Sequence, residues 1–189
     1  MEAFKIAIIN KRFLIVLFLG MISGTLFANF YGTNHISDWG IFDGVYMEKY
    51  NTITINYPTL WKYVAQDRIR DIIFLSIISL TSISVSIFLL YLFYIGMGIG
   101  LVVSMATMQY GIFGLWIYVV SIFPQYIFYG LACYIIANNL VKNKKHEAKK
   151  PNYKFLASII ISCLLVIIGT CAEAFINPSF MKNIIYNMY

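Results

Sequence analysis

IIFLSIISLTSISVSIFLLYLFYIGMGIGLVVSMATMQYGIFGLWIYVVSIFPQYIFYGLACYIIANNLV, residues 72–141, carries no charged side chain. A bilayer core about 30 Å thick is crossed by about 20 helical residues. The run is far too long for one crossing and about right for three. The whole chain agrees, with 60% of its 189 residues apolar, 12% charged and a mean hydropathy of +0.76. Soluble domains lie nearer 45–50% apolar and about 25% charged. The expected fold class is all-α, a polytopic transmembrane helical bundle in a single domain.

Within the run, the serine-rich stretch 72–92 is the expected second span. YIGMGIG (94–100) reads as a glycine-rich break, and 96–110 as a short third span. Tyr110–Gly111 and Gly114 suggest a turn. Residues 115–140 form the fourth span, broken at Pro124. Upstream, Lys5, Lys11 and Arg12 precede an uncharged run from Phe13 to Phe30. A cleaved signal peptide has a similar layout. This run is long for one and lacks a clean A-x-A site, so 13–30 is read as a retained first span. Gly20, Ser23 and Gly24 would let a neighbouring helix approach closely.

Downstream, VKNKKHEAKKPNYK (141–154) sets six lysines against Glu147, and the last span covers 155–175. Basic loops stay on the cytoplasmic side. If the N-terminal basic residues and this loop share that side, an even number of spans separates them. That parity favours five spans, with the N-terminus in and the C-terminus out. The chain's net charge of +6 therefore reports orientation, not nucleic-acid binding. Residues 31–71 are the one sizeable polar region. Trp39, Tyr46, Tyr50, Tyr57 and Trp61 suggest an interfacial aromatic belt, and Pro58 suits the first turn of a helix. The segment is short for a folded domain and reads as a small extracytoplasmic element.

Few residues offer chemistry. Pro124 removes a backbone hydrogen bond inside an apolar helix and frees the carbonyl of Val120, with the Gln125 amide beside it. This is a packing kink or a functional one. Glu173 is the only ionisable side chain within the spans as drawn. It marks the outer interface, where Pro178 would end the helix, or it is held inside against another helix. Thr170 and Asn177 lie within a turn of it. Cys133, Cys163 and Cys171 lack ligand spacing, and His35 and His146 are far apart, so no metal site is expected. There is no HExxH, GxSxG or P-loop, so neither catalytic residues nor a bound cofactor are expected.

The layout, with EAFINP (173–178) closing the last span, resembles the stage II sporulation protein M family. EAFINP is similar to that family's C-terminal signature, with Asn177 where threonine is commonest. IFPQYIFYGLA (122–132) lies where many members carry a proline-histidine-glycine stretch followed by a glutamate. Pro124 fits, but Gln125, Tyr126 and Tyr129 stand in for the other three. No role of that His/Glu pair carries over. The resemblance implies a non-enzymatic scaffold in forespore engulfment, in the bacterial cell membrane at the septum or engulfing membrane. Its partners would be the bilayer and peptidoglycan hydrolases resembling stage II sporulation proteins D and P. Oligomeric state stays open. The alternative is a membrane subunit of a transport system energised by a separate ATPase, for which the kinked 115–140 helix and the lysine loop would matter most.

Overall fold

The computed structural model describes residues 2–35, 53–79, 83–143 and 153–186, together with 49 and 81. Among them there is no strand. The helices are α1 (Glu2–His35), α2 (Tyr57–Ile78), α3 (Ser84–Tyr110), α4 (Ile112–Ile122), α5 (Gln125–Asn143), α6 (Tyr153–Cys171) and α7 (Asn177–Tyr186). A π turn, Ala172–Ile176, joins the last two. Three stretches are long and apolar enough to cross a membrane: Lys11–Tyr31, Ser84–Tyr110 and Phe155–Ile185. A fourth is added if Ile112–Ile122 and Gln125–Asn139 form one broken span. Much of the expected extracytoplasmic segment (36–48 and 50–52) and of the lysine loop (144–152) lies outside the described residues.

The boundaries differ from the expected ones in three places. The span expected at 72–92 is interrupted, because α2 stops at Ile78 and α3 starts at Ser84. Hydroxyls compete for the backbone there: Ser79 Oγ donates to the Ser76 carbonyl (2.6 Å) and Thr81 Oγ1 to the Ile78 carbonyl (2.8 Å). The break expected at 94–100 does not occur, and α3 runs unbroken through Gly96, Gly98 and Gly100. Glycine weakens helices in water, but in lipid an unpaired backbone has no solvent to turn to. Finally, Pro178 does not end the last helix. The π turn admits one extra residue, the Asn177 N–H bonds to the Ala172 carbonyl, and α7 continues to Tyr186.

The chain forms two compact units. The first contains α1, α3 from Leu89, α4 and the chain from Pro178. Its centre is a close pairing of α1 with α3. A Cβ on Gly24 would collide with the Met97 carbonyl, and one on Gly100 with the Met21 carbonyl. Gly20 faces Phe93 and Met97 in the same way, and Gly96 faces Leu17. Thr25 Oγ1 reaches the Gly100 carbonyl at 3.5 Å, and Asn29 Nδ2 donates to Ser104 Oγ at 3.4 Å. Residue numbers rise together along both helices, so α1 and α3 are parallel. Such pairs associate by close backbone packing and interhelical hydrogen bonds, because lipid supplies no hydrophobic drive between helices. At the end of α3, Gly111 adopts φ +59°, a left-handed conformation that glycine tolerates, as the turn reading expected. Gly114 then lies flush against the Ala106 carbonyl. Ile117 packs with Ile185, flanked by Tyr110, Met181 and Ile184.

The second unit contains α2, the first residues of α3, α5, α6 and the π turn. Its most extensive pairing is α5 with α6. Small residues meet there: Ala132 and Ser162 are fully buried, and Ser162 Oγ donates to the Ser158 carbonyl (2.9 Å) and lies 3.5 Å from that of Ala132. α2 packs against α6 and the π turn. Its start is fixed by Asn56, whose Oδ1 accepts from the Thr59 N–H at 3.3 Å, with Pro58 in the first turn. Ala65, Ile72, Leu75 and Ile78 form its buried stripe.

Candidate functional site: an Arg68–Glu173–Tyr129 cluster

Glu173 sits inside the π turn of the second unit. The extra residue of such a turn changes where the side chains around it point. Arg68, on α2, grips the Glu173 carboxylate with two donors. Its Nη2 lies 2.9 Å from Oε1 and its Nε 3.3 Å from Oε2. Tyr129, on α5, donates its hydroxyl to Oε2 at 2.6 Å. The Arg68 guanidinium also lies over the Tyr129 ring, 5.1 Å from its centroid. The three groups thus contact one another pairwise, and they come from three different helical segments.

Packing around the cluster is aromatic and small. Tyr126 meets Tyr129 edge-on with ring centroids 6.0 Å apart. Tyr57 stacks on Phe175, also at 6.0 Å. Gly169 leaves room for the Tyr129 ring, which a Cβ there would strike. The Glu173 side chain is 20% exposed and that of Arg68 36%, so the pair is neither a surface bridge nor fully enclosed. Exposed pairs contribute about 0–1 kcal/mol, while removing one partner of a buried pair costs roughly 3–5 kcal/mol. An intermediate cost of roughly 1–3 kcal/mol suits this one. Next along α2, Arg70 pairs with Asp67 (3.3 Å) and Asp71 (4.0 Å) at more exposed positions.

The other residues singled out from sequence are dispersed around this centre. Gln125 is buried in the first turn of α5, one turn before Tyr129, directly after the helix break at Phe123–Pro124. Asn177 opens α7, and Pro178 follows it. Thr170 is fully buried, but its hydroxyl turns back to the Ile167 carbonyl at 2.8 Å. The cysteines are free thiols. Among the described residues, no three His, Cys, Asp or Glu side chains gather as metal ligands would.

Sequence reasoning found Glu173 and missed both its partners. By sequence Arg68 belongs to the polar segment 31–71, expected outside the membrane. Its signal was a need: a carboxylate in an apolar span calls for a cation, and DRIRD (67–71) is the arginine-bearing stretch nearest to an apolar run apart from the N-terminal basic residues. Tyr129 had no such signal beyond its place in the motif of residues 122–132. No protein-family model, no curated protein and no solved structure matches the chain. The resemblance to stage II sporulation protein M therefore rests on the residues quoted for it.

Proposed function

We propose that the protein is a five-span, non-enzymatic membrane scaffold for cell-envelope remodelling, with its N-terminus and lysine loop inside the cell and its C-terminus outside. The parallel course of α1 and α3 supports the span count. Two parallel spans need an odd number of crossings between them, and α2 is the described element available to make one. α1, α2, α3, the broken α4–α5 pair and the α6–α7 helix then give five crossings. Four of these lie between the basic N-terminus and the lysine loop, so both fall on one side, as the positive-inside rule asks.

The observation that carries the scaffold reading is the occupancy of Glu173. An acid that carries an ion or proton must exchange partners during its cycle. Here the carboxylate accepts two bonds from Arg68 and one from Tyr129, all from its own chain. Such a group ties helices together, as befits an anchor that presents its outer segments to a partner. On the resemblance, those partners are peptidoglycan hydrolases at the septum. Gentle solubilisation of the tagged protein from cells entering stationary phase tests this. Co-purifying hydrolases without an ATPase support the scaffold, and a co-purifying nucleotide-binding subunit overturns it.

The helix break at Phe123–Pro124 favours the second reading, a transport subunit, because broken spans recur at substrate paths. The two readings part on mutation. A scaffold tolerates Pro124→Ala and Gln125→Ala but suffers from changes in the part of 31–71 that precedes α2, and a transport subunit does the reverse.

A further inference from the structure

We infer that α2 is a conditional span, one that crosses the membrane only after Glu173 of the last span arrives to neutralise Arg68. The inference rests on the five-span reading proposed above.

α2 is long enough to cross. Its 22 residues rise about 33 Å at 1.5 Å each. It is nevertheless not among the helices apolar enough to cross by themselves. Lys62, Asp67, Arg68, Arg70 and Asp71 explain why. Within the centre of the helix two acids stand beside two arginines, but Asp67 and Asp71 both lie against Arg70 and neither against Arg68. Arg70 is engaged by Asp67 and Asp71, its neighbours on the same helix. Lys62 lies only five positions from the helix start, within reach of the interface for a long side chain. Arg68 is the residue left over, and its counter-charge comes from 105 positions later in the chain.

The order of synthesis turns this geometry into a sequence of events. When α2 emerges, α6 and the π turn do not yet exist, and a central arginine opposes insertion. α3 nevertheless has to lie parallel to α1, which requires the chain between them to cross. The crossing is therefore completed late, when Glu173 supplies two charge-assisted bonds and Tyr129 closes the third side.

The test uses the full chain with Cys133, Cys163 and Cys171 replaced by alanine, and single reporters at Thr54→Cys, before α2, or Thr81→Cys, after it. Intact cells are pulse-labelled and exposed to a membrane-impermeant maleimide, so that chains are read before any degradation. In the otherwise unchanged protein, Thr54→Cys should react from outside, and Thr81→Cys only after permeabilisation. Adding Glu173→Leu should abolish the protection of Thr81→Cys, and combining it with Arg68→Leu should restore it, since the guanidinium that Glu173 neutralises is then gone and the remaining charges pair within α2. A partner that merely packs would give no such restoration. Protection of Thr81→Cys that survives Glu173→Leu overturns the conditional span and leaves the five-span reading standing. Labelling of Thr81→Cys from outside in the unchanged protein overturns both.

Discussion

Gly24 of α1 and Met97 of α3 meet so closely that a single added methyl group would strike the Met97 carbonyl. Backbone lies against backbone at this point, and no side chain can swing aside. Gly24→Leu should therefore force the two helices apart. Overpacking a tight contact costs roughly 1–3 kcal/mol. The thermal stability of the detergent-solubilised protein should fall accordingly. Gly98→Leu is the control, because a Cβ at Gly98 meets nothing within 4 Å, and it should leave stability unchanged.

Tyr129 contributes a hydroxyl to Glu173 and a ring face to Arg68. Tyr129→Phe keeps the ring and removes the bond. Interhelical hydrogen bonds in membranes average about 0.6 kcal/mol with a maximum near 1.7. The loss should fall in that range and be smaller than that of Arg68→Ala, which strands a carboxylate. Denaturant titration of both variants in the same detergent orders them.

Gly169 and Tyr129 should be coupled. Gly169→Ala places a methyl group against a ring whose far end is held by Glu173. The single variant should be destabilised, and adding Tyr129→Ala should relieve the clash. A double-mutant cycle reads the coupling, which for residues in contact runs to about 0.5–3 kcal/mol. Additive effects would mean that the ring is free to move away.

Pro178→Ala should be close to neutral, within about 1 kcal/mol, with undiminished helix content by circular dichroism. The helix already runs past the proline to Tyr186, with the proline in its first turn. Had Pro178 been a helix terminator, its removal would lengthen the helix and raise the signal.

Some of this was legible from composition and some was not. The charge-free run 72–141 is enough to establish an all-helical membrane protein, and Gly20, Ser23 and Gly24 pointed to a close helix contact. The glycines of 94–100 were misread because the same residue breaks a helix in water and packs one in lipid. The break instead fell at the hydroxyl cluster around Ser79 and Thr81, where side chains capture backbone carbonyls. Glu173 announced itself as a lone acid. Its partner Arg68 did not, because a charged stretch looks external unless something distant neutralises it. Periodicity carries no information about that distance, and three-dimensional contact does.

The five residues of the π turn set the phase of everything that follows them in the last helix. One residue advances an α-helix by about 100°. A π turn is equivalent to a single extra codon absorbed without breaking the helix. Without Ala172, every side chain beyond it would be turned by nearly a third of a circle relative to α6, and with them the carboxylate that Arg68 grips. Deleting Ala172 should leave the helix whole and the Glu173 carboxylate turned away from Arg68.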